Sequence, residues 1–312
     1  MFAIATSNAD VIQDAVRKEY RIDNFKPFDI VPLADKPLVR LAGRIFCVSV
    51  PLLMSKLSDG LYYLIANSLV GKDRDRFTRF LGVVFEQYLV QLLTRMLKTR
   101  NATILNGKTL QEAAVKLGRS GIKTADCFIL VDRIAVLVES KARFFARAAR
   151  SGEDWDSISA RIKDVYSRGS RQLESTIELA EAGGLAHLGV RPEGVETYVP
   201  LVVSLDETPM TPPVYDLIAP AIPAKGADKT VALQVVGISE LEPLEVAVAR
   251  GALNLHVLLR HKANSGRQAT SLRNVIFYEP GLRGLSEHNP LLRRVYDEEM
   301  ASALRVLKMR ER

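Results

Sequence analysis

The chain has 312 residues, 47% apolar and 25% charged, which is long enough to bury a sizeable core and excludes wholesale disorder. Lys and Arg total 43 against 36 Asp and Glu, a formal charge of +7 that permits a polyanionic partner without demanding one. Two cysteines, Cys47 and Cys127, exclude a disulfide framework and read as small core hydrophobes. The N-terminus lacks a basic stretch followed by a long apolar one, and no apolar run approaches the roughly 18 residues of a bilayer span. A soluble, cytoplasmic protein with no membrane partner is expected.

Pro27, Pro32 and Pro37 break the first 70 residues into short pieces, and 38–54 (LVRLAGRIFCVSVPLLM) has the composition for a strand or two. From Arg74 to Lys98, apolar residues including Phe77, Leu81, Phe85, Leu89, Leu92 and Met96 recur at three- and four-residue steps. That spacing predicts an amphipathic helix. A short strand follows at 102–105, then a small loop or helix through Gly121. Residues 125–131 and 134–140 are rich in branched and aromatic side chains, with Asp132-Arg133 between them, and predict a hairpin. A second long helix is expected over about 158–182, with Ile162, Tyr166, Leu173 and Ile177 buried and Gly183-Gly184 stopping it.

Two further strands are expected at 198–205 and 231–238. The proline-rich stretch between them reads as a loop, and the chain after Ser239 as mostly helical with a polar loop at 262–273. The order helix, three strands, helix, two strands predicts an α/β fold with a central mixed sheet flanked by helices.

Hairpin register carries the functional argument. With Asp132-Arg133 as a two-residue turn, Val131 pairs with Ile134 and Asp126 falls opposite Glu139, so both carboxylates project from one face. Lys141 lies two residues beyond Glu139 and points the same way. Like charges opposed on neighbouring strands are costly without a cation between them. The flanking runs CFILV and IAVLV are apolar throughout, as in strands covered on both faces, so a solvated polar face explains the pair poorly. A hard divalent cation explains it better: carboxylate oxygens suit Mg²⁺ or Mn²⁺. The competing reading makes Glu139 and Lys141 the self-neutralising polar end of a strand, with Asp126 capping a loop.

The stretch Asp126 … Glu139-Ser140-Lys141, on a hairpin after a Glu-bearing helix, resembles the PD-(D/E)XK nuclease superfamily over roughly residues 74–240. The resemblance implies a restriction-endonuclease-like core over 73–245, with a mixed N-terminal segment (1–72) and a mainly helical C-terminal one (246–312) as extensions. It also implies a Mg²⁺-dependent endonuclease, with Mn²⁺ substituting and DNA ahead of RNA as substrate. Asp126 and Glu139 would hold the metal with the Ser140 carbonyl, and Lys141 would orient or deprotonate the attacking water. Glu86 matches the helical acidic residue that many members aim at the metal, and Gly82, one turn earlier, would allow close backbone approach. Ala125 stands where the motif has proline. Gln172 resembles a glutamine that some branches use near the phosphate, but Thr176 stands where those branches carry tyrosine. The alternative on the same fold is a non-catalytic nucleic-acid-binding or scaffold protein.

Arg143, Arg147 and Arg150 follow Lys141 at helical spacing, and Arg161, Lys163, Arg168 and Arg171 flank the next helix. As a group they tilt toward backbone phosphates, with Arg143, Arg147, Arg171 and Gln172 the expected contacts. Gly107-Lys108-Thr109 lacks the first glycine of a phosphate-binding loop, and the four histidines supply no zinc site. A homodimer would allow two-strand cleavage, but no sequence feature points to one.

Overall fold

The computed structural model describes residues 6–19, 36–57, 59–142, 155–205, 212–218, 228–279, 281–284 and 289–310. The chain forms two compact units, residues 1–81 with 144–158 and residues 82–143 with 159–312.

In the first unit, β1 (Thr6–Asn8) leads into α1 (Ala9–Glu19) and pairs in parallel with β2 (Leu38–Leu41). β2 turns through Ala42-Gly43, both at positive φ, into antiparallel β3 (Arg44–Cys47). These two strands answer the expectation for 38–54, except that from Val50 the chain is already helical: α2 (Val50–Leu57), then α3 (Asp59–Ser68). β3 is exposed along its whole length, so Cys47 is not the core residue its neighbours suggested. Apolar neighbours in sequence do not bury a residue on a strand whose two faces both meet solvent.

The predicted long helix is α4 (Gly71–Leu97). Its C-terminal half buries Phe85, Leu89, Leu92, Leu93, Met96 and Leu97, while Val84 is exposed. By length and composition α4 is apolar enough to cross a bilayer, contrary to the expectation that no stretch would be. Single charged residues interrupt the run in sequence without removing its overall apolar character. The apolar side of its C-terminal half is the side that enters the core of the second unit.

The second unit is built on a five-stranded mixed sheet: β4 (Thr103–Asn106), β5 (Cys127–Val131), β6 (Ile134–Lys141), β7 (Thr197–Ser204) and β8 (Gln234–Gly237), in that spatial order. The first two pairings are antiparallel and the last two parallel. α5 (Gly107–Lys116) follows β4, capped by Asn106 Oδ1 on the Thr109 N–H. α6 (Trp155–Glu181) connects β6 to β7 and buries all four residues expected of it. It ends as predicted: Gly183 N–H bonds to Ala180 O and Gly184 N–H to Leu179 O, a paired closure that needs the positive φ of Gly183. The helix, three strands, helix, two strands order and the flanked mixed sheet are therefore as the sequence indicated.

The hairpin register is as predicted, from Val131↔Ile134 to Cys127↔Val138. Asp132 and Arg133 both take positive φ (48° and 65°), the pairing of a two-residue turn that matches strand twist. The Arg133 guanidinium lies 2.7 Å from Glu196, and Arg133 O accepts the Glu196 N–H at 2.8 Å, which offsets the strain of a bulky residue there.

One sheet face, with Cys127, Ile129, Val136, Val138, Leu201 and Val203, shares a core with α4 and the C-terminal helices. The alternate residues face α6, so both sides are covered, as continuous apolar strands require.

The segment between β7 and β8 is not all loop. Pro212 and Pro213 open a short helix, α7 (Pro212–Ile218), because a first turn needs no N–H from them. After β8 come α8 (Ile238–Leu241), α9 (Glu245–Ala249), α10 (Leu255–Asn264), α11 (Leu272–Tyr278) and α12 (Pro290–Arg310). The expected polar loop at 262 starts later, because Lys262 belongs to α10 and is fully buried. Its Nζ donates to Gln234 Oε1 and Gln268 O, both at 2.9 Å. Burial pushes this amine down to about 8.

Candidate active site

The open end of the hairpin, opposite its turn, carries Asp126, Glu139 and Lys141. Glu139 is buried on β6, and Lys141 Nζ sits 2.6 Å from its Oε1. Glu139 Oε2 is buried and has no hydrogen-bond partner among the described residues. Burial, then the field of Asp126, raises the Glu139 carboxyl to about 8, against the lowering pull of Lys141. The single ammonium therefore does not compensate the site.

Asp126 sits one residue before β5, at the position that continues the pairing to Glu139. Its Oδ2 accepts the Ser140 N–H at 2.7 Å and the Ser140 hydroxyl at 2.6 Å. The Ser140 N–H and hydroxyl thus anchor Asp126, beside the part that the resemblance implies for the Ser140 carbonyl.

Glu86 comes from α4 and is half-buried. Burial raises its carboxyl, and the Asp126 field raises it further. The same fields reach Cys127, whose buried thiol is pushed up to about 12, so it is an inert core residue. The three carboxylates thus share one electrostatic neighbourhood. Among the described residues, however, no group of three or more Asp, Glu, His or Cys side chains is gathered tightly enough to hold a metal ion. Asp126 is turned onto Ser140, and Lys141 takes one oxygen of Glu139.

α6 positions this cluster. A Cβ at Gly169 would lie 3.2 Å from Lys141 Cε and 3.4 Å from both Glu139 Cγ and Val202 Cγ2. Gly169 is the close-approach glycine of the site, whereas Gly82 has nothing within 4 Å of where its Cβ would be. Gly82 lies on the N-terminal side of the buried stretch of α4, which explains the difference. Gln172 Nε2 donates to Thr124 O at 3.2 Å, and Thr176 Oγ1 accepts the Ala125 N–H at 2.7 Å. Both clamp the backbone just before Asp126. Arg171 is exposed on the same helix, as are Lys163 and Arg168. Arg143, Arg147, Arg150 and the side chain of Arg161 lie outside the described residues.

Ser204 was not anticipated. It pairs with Lys141 across the parallel β6–β7 ladder, and its buried Oγ has no partner among the described residues. Only the β6–β7 register reveals it, because its local sequence is that of any strand end. By type, the oxygens of Asp126, Glu139, Ser140 and Ser204 suit a hard divalent cation rather than a soft one, and Glu139 Oε2 and Ser204 Oγ are buried without a partner among the described residues.

No family model, curated protein or solved structure matches this chain.

Proposed function

We propose that this protein is a metal-dependent nuclease with a restriction-endonuclease-like core, resembling the PD-(D/E)XK superfamily and acting on DNA ahead of RNA. The observation that carries the reading is the buried Glu139 carboxylate. One of its oxygens is tied to Lys141, the other has no partner among the described residues, and the field of Asp126, one residue before the paired strand, reaches it. Such a carboxylate is destabilised until a cation joins it.

Asp126 and Glu139 would hold Mg²⁺ or Mn²⁺, with the Ser140 carbonyl and Glu86 assisting. The ion would supply charge neutralisation at the phosphate and an acidified water. Lys141 holds an ammonium beside that position, where it orients the attacking water and offsets charge developing on the phosphate. Ser140 fixes the Asp126 carboxylate, and α6 shields the Glu139–Lys141 pair from bulk water, strengthening each interaction inside.

A second reading rests on the tight Lys141–Glu139 contact and the lack of a three-acid cluster among the described residues. In it the pair is structural and the protein binds nucleic acid, or acts as a scaffold, without cutting. Calorimetric titration with Mn²⁺ separates the two. The nuclease reading expects binding that is lost in Glu139→Gln and strongly weakened in Asp126→Asn. Absence of binding to the wild-type chain favours the second reading.

A further inference from the structure

Phe277 and Tyr278 end α11 with 61% and 65% of their surface in solvent. Their rings meet edge to face, centroids 5.3 Å apart and planes at 85°. Arg283 completes the group: its guanidinium lies 5.5 Å from the Phe277 ring centre and its Nε donates to Phe277 O at 2.8 Å. The neighbouring acid, Glu279, is engaged by Arg267 and His261, so Arg283 carries no carboxylate partner among the described residues. Two exposed aromatic side chains beside a cation with no carboxylate partner among the described residues form a surface complementary to a flat, electron-rich group carried on a polyanion.

α11 is tied through Glu240 to the end of the sheet that carries Lys141, while its buried side packs on the face opposite the Glu139–Lys141 pair. Lys141, Ser204 and Gly237 form one row across β6, β7 and β8. Gly237 N–H donates to Glu240 Oε2 at 2.9 Å, and Glu240 Oε1 accepts the Arg273 N–H in the first turn of α11 at 3.2 Å. A helix of this size is only about 10 Å long, so the aromatic pair lies within about one helix length of that anchor.

We propose that Phe277, Tyr278 and Arg283 stack an unpaired base, making single-stranded nucleic acid, or a single-stranded stretch beside a duplex, the preferred ligand of this protein. The inference rests on the reading of the protein as acting on nucleic acid. A duplex conceals its base faces and offers only edges and phosphates, whereas a single strand presents a π-face at every nucleotide whatever its sequence.

The test is fluorescence anisotropy with the full-length wild-type chain in EDTA, where cleavage is suppressed, using labelled oligo-dT, oligo-rU and a duplex of equal length. Single strands bind more tightly than the duplex. The double variant Phe277→Ala/Tyr278→Ala loses roughly 5- to 100-fold of single-strand affinity while duplex affinity is unchanged. Tyr278→Trp, which keeps a stacking face, retains affinity. Equal affinity for single strand and duplex, an unaffected double variant, or no binding to any probe overturns the proposal. Binding is read without cleavage, so a platform that binds but accompanies no cutting leaves this inference standing and removes the nuclease reading. Cutting that ignores both aromatic residues does the reverse.

Discussion

Lys141 Nζ lies 2.6 Å from Glu139 Oε1 with both side chains largely withdrawn from water, while Oε2 of the same carboxylate has no hydrogen-bond partner among the described residues. A satisfied structural ion pair would engage both oxygens. Here half of the carboxylate is held and half is left over, beside Asp126, whose charge opposes it.

This arrangement makes metal-free stability fall with rising pH. Glu139 has a folded-state value near 8, above its ordinary value of 4.5, so the folded chain keeps a proton there that the unfolded chain has already released. The contribution is most favourable below about pH 4.5 and is lost as pH rises through about 8. Each tenfold difference in proton affinity between the folded and unfolded chain corresponds to about 1.4 kcal/mol, so the loss amounts to a few kcal/mol. Urea unfolding in EDTA at pH 5.5 and 8.5 should show a steeper decline for wild type than for Glu139→Gln. Mn²⁺ should restore stability at pH 8.5 to wild type only. Identical pH slopes for the two proteins would contradict this role for Glu139.

Gly169 separates positioning from stability. Alanine in a helix interior is ordinarily about 1 kcal/mol more favourable than glycine, but here the new methyl would press on Lys141 Cε at 3.2 Å. The contact is with a flexible side chain, so the fold absorbs it and the lysine moves. Gly169→Ala should stay within about 1 kcal/mol of wild type in denaturant unfolding, yet lose Mn²⁺ affinity and cutting by roughly tenfold, a loss of about 1.4 kcal/mol. Equal function in the two proteins would show that the Lys141 position is not critical.

Thr176 holds the segment leading into Asp126. Thr176→Val keeps the shape but leaves the buried Ala125 N–H without its acceptor, at a cost of about 1–3 kcal/mol. The variant should unfold at lower urea concentration and bind Mn²⁺ more weakly. Wild-type stability would mean that another acceptor replaces the threonine hydroxyl.

Ser204→Ala tests a residue found only through strand pairing. Its buried hydroxyl has no partner among the described residues, so removing it costs the fold little and should be neutral or slightly stabilising in the metal-free state. If Ser204 serves the Lys141 side of the site, cutting falls while urea stability holds; unchanged cutting would remove it from the site.

Much of this was legible in the sequence because the relevant physics is local. The Asp132-Arg133 turn fixes the register of two apolar strands, and register alone places Asp126, Glu139 and Lys141 at one end. The 3.6-residue spacing of Ile162, Tyr166, Leu173 and Ile177 fixes which side of α6 is buried. Features that depend on long-range contact were not visible. Gly169 lies 28 residues from Lys141 in sequence, and nothing in its neighbours announces the approach. Ser204 needs the parallel β6–β7 pairing, which follows a long crossover. Lys262 looks like the start of a polar loop because its charge suggests solvent. Its buried head is satisfied by Gln234 and Gln268, partners contributed from elsewhere in the chain. Cys47 shows the opposite error, an apolar setting on a strand that stays exposed.

The most direct measurement is cleavage of a mixed panel of DNA and RNA substrates by the full-length chain in Mg²⁺ or Mn²⁺, beside Asp126→Asn. The asparagine oxygen can still accept from Ser140, so the variant keeps its fold and loses a metal-binding charge. A metal-dependent nuclease predicts cation-dependent cutting by wild type that disappears in EDTA and in the variant. Cutting by Asp126→Asn at the wild-type rate would contradict it.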